Sequence, residues 1–319
     1  MILLIDGNNM AYKCKFVFSL SNKGMNVSVT YGFIHTLNSL MARYNPSSII
    51  VCWDGGIPDF RRQALPQYKA NRVKDWDDVE REDFYRQINE LADFVLPIMG
   101  VISIRQSGAE ADDLLYHASK IICDKDIIIV TSDKDLFQAC NGNVRVLKGD
   151  KLITTKEVEE YIGLPFCEFI EWRALQGDKS DNIPGIPGVG EVTATKLLNT
   201  FGDISCLWNS ANGASPKKNL MNLKMADKIK SFGFQALVTN IVVSRLYIDK
   251  VGARLALISN IYPYSGANIR MLKGFLISRT FTSLLASELF TNVRKLKPPR
   301  IKHNMVFPVN IGRRYPVGI

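Results

Sequence analysis

The chain has 319 residues, 46% hydrophobic and 22% charged, enough for one large core or two smaller ones. No apolar run approaches the ~20 residues that cross a bilayer, and "MILLIDGNNM" lacks a signal peptide's basic region and cleavage site, so no membrane role is expected. The six cysteines (14, 52, 123, 140, 167, 206) show no CxxC spacing and read as buried free thiols of a cytoplasmic protein. The formal charge is +9, and residues 251–319 alone carry eleven Lys/Arg against one acid, Glu288. Such a basic stretch favours a polyanionic partner; the other reading is a solvated tail.

In chain order, β-rich runs alternate with helical periodicity. Strands are expected at 1–6 ("MILLID"), 48–53 ("SIIVCW"), 100–104 ("GVISI"), 126–132 ("DIIIVTS") and 143–147 ("NVRVL"), with helices at 31–44, 83–100 and 110–122. Apolar runs buried on both faces and separated by helices predict an α/β fold: a mostly parallel central sheet flanked by helices. From about 155 the pattern turns helical, interrupted by the Gly/Pro-dense "DNIPGIPGVGE" (181–191). Residues 208–222 read as a polar loop. After 291 the chain, "RKLKPPRIKHN", reads as extended or disordered.

The acids fall at strand ends. Asp6 closes the first strand, Asp54 the second, and Asp133 and Asp135 follow the fourth. "EADD", with Glu110, Asp112 and Asp113, opens the helix after the third. Asp178 and Asp181 precede the glycine-rich connector. Ligands of parallel sheets bind at the carboxyl ends of the strands, so the first seven share one rim. Two unit charges 4 Å apart interact by about 4 kcal/mol at an effective dielectric of 20, so converging carboxylates need cations among them. Singly, an acid such as Asp135 reads as well as a helix cap; nine in this pattern do not. Oxygen ligands select Mg²⁺ or Mn²⁺ in compact sites and Ca²⁺ in larger ones. Zinc is disfavoured, because none of the three histidines (35, 117, 303) lies in these motifs. A carboxylate-only site suits ion-assisted hydrolysis of phosphate esters.

Two further segments fit nucleic acid. Residues 60–88 hold Arg61, Arg62, Tyr68, Lys69, Arg72 and Lys74, an aromatic among cations, before turning acidic as "DWDDVERED". An ordinary charged crossover helix is the alternative. Gly185, Gly188 and Gly190 precede an amphipathic helix carrying Lys196, and such a turn lets backbone N–H groups approach a phosphate.

With "LIDGNNMAY", "FR…YKANR", "EADD", "TSDKDLFQ" and "GDKSDNIPGIPGVGEVTA" in this order over residues 1–250, the chain resembles the 5′-nuclease (flap endonuclease) family. It is similar to the nuclease domain of bacterial DNA polymerase I and to stand-alone phage 5′-exonucleases. The resemblance implies a PIN-like, resolvase-like catalytic domain over 1–160, with a helical arch at about 64–90. A helical duplex-binding region would follow over 161–250, with a helix–three-turn–helix at 178–200, and then a basic extension over 251–319. It implies Mg²⁺, with Mn²⁺ as a substitute, in two groups: Asp6, Asp54, Glu110, Asp112 and Asp113, then Asp133, Asp135, Asp178 and Asp181. Asp112 and Asp133 would be essential to cleavage. Lys69 and Arg72 would act at the arch base near the scissile phosphate, Arg61 as a supporting phosphate contact and Tyr68 as an aromatic beside the reacting nucleotide. Lys13, Gly188, Gly190 and Lys196 would contact DNA, and the turn carbonyls of Ile186 and Val189 would hold K⁺.

The implied activity is 5′-3′ exonuclease and flap endonuclease cleavage near a single-strand/duplex junction, removing RNA primers and 5′ flaps in replication. Its substrates would be 5′-flap, nicked or primed duplexes and RNA–DNA hybrids. A monomer is expected, with polymerase, clamp or single-strand-binding protein as separate partners. A catalytically silent DNA-binding scaffold is one alternative. An aspartyl-phosphate phosphatase is another, although Asp6-Gly7-Asn8 departs from that class's D-x-D.

Overall fold

The computed structural model describes residues 1–72, 77–122, 126–215, 217–246 and 265–300. The chain forms two compact units: 1–57, 74–154 and 247–302 in the first, and 58–73, 155–246 and 303–319 in the second.

The first unit is built on a six-stranded sheet of order β5-β4-β1-β6-β7-β8. Its strands are β1 (Ile2–Asp6), β4 (Ser48–Trp53), β5 (Ile102–Arg105), β6 (Ile127–Val130), β7 (Val144–Lys148) and β8 (Lys151–Ile153). All pairings are parallel except β7 with β8. The short β2 (Ser21–Asn22) and β3 (Met25–Asn26) form a separate hairpin. Every residue of β1 and β4 is buried, as continuous apolar runs require when both faces of a sheet are covered. Because β1, β4, β5 and β6 run the same way, their carboxyl ends share one edge.

Helices α1 (Gly7–Val17), α2 (Ser28–Tyr44), α4 (Asp78–Glu90), α5 (Leu96–Ile98) and α6 (Ala111–Ile121) cover this sheet. A π-helical turn, Leu91–Val95, joins α4 to α5. Within the expected arch, α4 buries Phe84, Gln87 and Ile88 against this core, and Gln87 Oε1 accepts the backbone N–H groups of Val29 and Thr30 at 3.0 Å each. The arch segment 73–76 lies outside the described residues.

The basic C-terminal stretch is not a tail up to residue 300. Helices Ile269–Ser278, Thr282–Leu285 and Leu289–Val293 pack on the same core, burying Leu272, Leu276, Leu284 and Leu289. Val293 and Leu296 are buried too, and the Lys297 N–H donates to the Ser47 carbonyl at 2.7 Å. Of the segment expected to be extended or disordered after 291, the described residues end a helix at Val293 and then run without helix or strand over 296–300, anchored by Val293 and Leu296. Residues 251–264 and 301–319 of that stretch lie outside the described residues.

The second unit is helical: α3 (Asp59–Ala64), α7 (Thr155–Ile162), α8 (Phe169–Gln176), α9 (Glu191–Phe201), α10 (Ile204–Ala211), α11 (Leu223–Phe232) and α12 (Phe234–Ser244). The polar loop expected at 208–222 begins only after Ala211, because α10 continues through Trp208 to bury Ala211. Buried Trp172 ties α8 to α9 by donating its indole N–H to Thr195 Oγ1 at 3.0 Å. The Gly-rich connector folds back on α8 through Ile186 N–H to the Leu175 carbonyl at 3.0 Å. Gly177 closes α8 at φ +68°, and a Cβ there would collide with the backbone of Ile183–Gly185. That close approach explains a glycine no spacing rule singled out.

No helix among the described residues is long and apolar enough to cross a membrane. Of the described cysteines, all free, Cys14, Cys52 and Cys140 are buried while Cys167 and Cys206 are exposed, so burial of the thiols holds only in part.

Candidate active site

The carboxyl edge of the sheet gathers the acids of the first unit. Asp6 sits where β1 becomes α1; its Oδ1 accepts the Asn9 N–H at 3.0 Å, capping the helix, and its Oδ2 accepts the Thr131 hydroxyl at 2.9 Å. Burial pushes the Asp6 carboxyl up to about 7; Asp54 and Asp133 add to the rise, and the Asn9 and Thr131 hydrogen bonds oppose it. A buried carboxylate flanked by other acids is chemically suited to holding a cation.

Asp54, just past β4, accepts the Ala111 N–H on Oδ1 at 2.9 Å and so caps α6. Glu110 occupies the N-cap position of α6 without capping it. Relieved of that task by Asp54, Glu110 joins Asp112 and Asp113 in a group whose ligand atoms lie within 4.8 Å of one another. Glu110 and Asp113 are buried and Asp112 is half-buried. Asp133 Oδ1 accepts the Asp135 N–H at 2.8 Å, and Asp135 is buried. Every donor in this set is a hard oxygen, which fits a divalent cation of the Mg²⁺ class.

Four supporting residues went unread in the sequence. Asn8 Oδ1 accepts the Asp54 N–H at 3.0 Å, and Asn9 Oδ1 accepts the Ser132 N–H at 3.1 Å. Ser132 also hydrogen-bonds the Asn9 side chain through its hydroxyl, and Thr131 Oγ1 accepts the Asp133 N–H at 3.1 Å. These amides and hydroxyls stitch the ends of β1, β4 and β6 together. The "GNN" and "TSD" strings carried the signal, but partners more than forty residues apart cannot be paired from one sequence. Exposed Lys13 is also joined by cations the sequence reading passed over. The Lys148 ammonium is pushed down by desolvation and by Lys134 and Lys13, against the pull of Asp133.

In the second unit the acids have protein cations. Asp178 Oδ2 pairs with Arg173 at 2.7 Å, and its Oδ1 accepts the Ser180 N–H and hydroxyl at 2.7 and 2.6 Å. Desolvation raises the Asp178 carboxyl, but the Ser180 and Arg173 bonds outweigh it and hold it below the usual carboxylate range. Asp181 pairs with Arg72, accepts the Tyr68 hydroxyl at 3.2 Å and lies 3.7 Å from Lys69 Nζ. Among the described residues, these two acids therefore need no ion to be tolerated.

Two expected DNA contacts are buried in this structure. Arg61 is 1% exposed and donates from Nε to the Val243 carbonyl and from Nη2 to the Arg245 carbonyl, both at 3.0 Å. It fastens α3 to the end of α12 and presents no surface to a phosphate. Tyr68 is 5% exposed with its hydroxyl on Asp181, so its ring is packed rather than offered to a base.

Lys69 and Arg72 sit in a turn after α3, Lys196 is exposed on α9, and Gly188 holds φ +80° with Lys228 Nζ 2.9 Å from where a Cβ would lie. Nothing lies within 4 Å of the Cβ direction at Gly190. The side chains of Ile186 and Val189 are buried, and the Ile186 carbonyl already accepts the Val189 N–H at 2.9 Å.

Residues 1–163 match the family described as 5′-3′ exonuclease, N-terminal resolvase-like domain, and residues 165–244 match 5′-3′ exonuclease, C-terminal SAM fold. The thermostable DNA polymerase I of Thermus filiformis is 35% identical over 219 residues, 67% of this chain and 26% of that protein. That of Thermus thermophilus is 30% identical over 289 residues, 89% of this chain and 32% of that protein. The chain thus spans about a third or less of the length of these relatives. In fold it is similar to the D15 protein of bacteriophage T5 co-crystallised with metal ions, at 20% identity, TM-score 0.65, covering 87% of this chain and 98% of that one. The catalytic core of Rad2 in complex with DNA substrate is similar at 17% identity and TM-score 0.60, covering 90% and 92%. The first family match alone takes in more than half of the sequence, and the chain belongs to the 5′-3′ exonuclease family.

Proposed function

We propose that the chain is a structure-specific 5′ nuclease. It hydrolyses phosphodiesters near the junction of a single-stranded 5′ arm and a duplex, with Mg²⁺ as its ion and Mn²⁺ able to replace it. The observation that carries this reading is the Asp6 carboxyl, buried at the carboxyl edge of the sheet with Asp54 and Asp133 as its charged neighbours. The Glu110, Asp112 and Asp113 group supplies further oxygens of the same kind.

A divalent ion supplies such a site with charge neutralisation for the phosphate and a lowered pKa for water. The protein's residues hold and orient. Asp6, Glu110, Asp112 and Asp113, with Asp54 at the start of their helix, would hold the first ion. Asp133 and Asp135 read as the core of a second group within the first unit. Asn8, Asn9, Thr131 and Ser132 keep the strand ends in register. Lys69 and Arg72 would stabilise charge that develops on the phosphate in the transition state. Lys13, Gly188, Gly190 and Lys196 read as sequence-independent backbone contacts, with K⁺ on the carbonyls of Ile186 and Val189.

The T5 protein's metal ions and the Rad2 core's DNA substrate support an ion and a nucleic acid here. The DNA polymerase I relatives support a place in DNA replication. Removal of RNA primers and flaps in the cytoplasm, by a monomer working beside a polymerase, clamp or single-strand-binding protein, completes the proposal. The silent-scaffold alternative would have lost part of the acid set; all nine are present.

The deciding experiment offers a labelled 5′-flap DNA to the chain with Mg²⁺, with Mn²⁺ and with EDTA. Cleavage near the junction in either ion, abolished by EDTA, is expected. Binding without cleavage in both ions would overturn the proposal.

A further inference from the structure

We propose that Asn71 and Asn182 are positioning residues that clasp the 67–72 turn to the 178–182 loop and so fix the Lys69 and Arg72 head groups for phosphate chemistry. The inference rests on the reading of Lys69 and Arg72 given above.

The clasp is reciprocal and lies wholly within the helical unit. Asn71 Nδ2 donates to the Lys179 carbonyl at 2.8 Å, and Asn182 Nδ2 donates to the Gln67 carbonyl at 2.7 Å. Each segment thus contributes one amide and one carbonyl. Between these outer bonds the Lys69 N–H donates to the Asp181 carbonyl at 2.8 Å, and Arg72 Nε donates to the Ser180 carbonyl at 3.3 Å.

Backbone conformation points the same way. Lys69 has φ +56° and Asn182 φ +57°, two of five described non-glycine residues in the left-handed region, one on each segment of the clasp. Asparagine adopts that region readily, but lysine has no short polar group to compensate and stays there only when its surroundings hold it. The result is an ordered lysine: its side chain is 13% exposed, with Nζ 5.0 Å from the Tyr68 ring centre and 3.7 Å from Asp181. A solvated lysine must surrender much rotamer freedom to meet a phosphate, whereas this one is confined beforehand. Asp181 collects both cations, and the asparagines keep the two segments in the register that brings them there.

Asn71→Ala and Asn182→Gly each remove one clasp bond, and glycine retains the left-handed backbone. In the full chain with a labelled 5′-flap DNA and Mg²⁺, each variant should lower kcat about ten- to a hundredfold with KM little changed. Mn²⁺ affinity, measured calorimetrically with the metal alone, should stay at the wild-type value. Lys69 should also be acylated several-fold faster by an amine-reactive ester, read by mass spectrometry. Wild-type kcat in both variants, unchanged Lys69 labelling, or a loss of Mn²⁺ affinity matching the loss of kcat would each overturn the proposal. If the wild-type chain cleaves no flap, the nuclease reading fails, while the labelling of Lys69 still decides the clasp.

Discussion

The carboxylates of the sheet edge and those of the connector before α9 are chemically alike, yet their surroundings treat them oppositely. Asp6 is buried among other acids and holds its proton up to about 7. Asp178 is braced by Arg173 and Ser180, and its carboxyl falls below the ordinary range. Asp181 similarly has Arg72 and Lys69. In the first region burial and neighbouring acids disfavour the charged form of Asp6; in the second, protein cations favour the charged form of Asp178. An acidic residue in a motif therefore says little about ion binding until its protein cations are counted.

The sharpest test of the contrast is catalytic. Asp112→Asn and Asp133→Asn should each lower flap cleavage by about a thousandfold or more while DNA affinity in a filter-binding assay persists, since ion-assisted catalysis carries most of the barrier reduction. Full cleavage by either variant in Mg²⁺ would break the assignment of the sheet edge.

Next in size is the effect of pH on the metal-free chain. Asp6 titrates near 3.8 when unfolded and at about 7 when folded, so the folded state binds more protons in between. The Asp6 contribution to stability should therefore be greatest below pH 4 and fall as pH rises through 7, by about 4 kcal/mol. Asp6→Asn keeps an acceptor for the Asn9 N–H and should flatten that slope in chemical denaturation, with cleavage lost. Divalent ion binding should expel the Asp6 proton below pH 7, so affinity should climb with pH; calorimetry in buffers of different ionisation enthalpy reads that release. A stability slope between pH 5 and 7 that Asp6→Asn leaves unchanged would contradict the raised carboxyl of Asp6.

Smaller, and confined to the helical unit, is Arg61→Ala. Leaving the Val243 and Arg245 carbonyls without their donor should cost about 2–3 kcal/mol of stability, with the salt dependence of DNA binding unchanged. A salt slope reduced by about one would restore Arg61 as a phosphate contact. Least is Asp178→Asn, about 1 kcal/mol near neutrality from a half-buried ion pair. Because its folded value is depressed, that contribution is present above pH 3.8 and lost as pH falls through the lower folded value.

Much of the fold was legible because its strands are continuous apolar runs, and "MILLID" and "SIIVCW" became β1 and β4 nearly residue for residue. The helices between 269 and 293 were less legible for a related reason. The stretch around them is basic and proline-bearing, but Val293 and Leu296 reach the core, and two well-placed anchors outweigh average composition. Removing residues after 250 would strip the first unit of Leu272, Leu276, Leu284 and Leu289, so such a truncation tests folding before it tests DNA binding.

The sequence alone determined the succession of β runs and helices along the chain and the family motifs, because these depend on local pattern and on residue type. Tertiary structure decided which charges meet. Only folding sets Arg61 under α12, gives Asp181 to Lys69 and Arg72, and leaves Asp6 with acids for company. Coulomb energy and desolvation depend on distance and burial in three dimensions, and neither quantity is written in the order of residues.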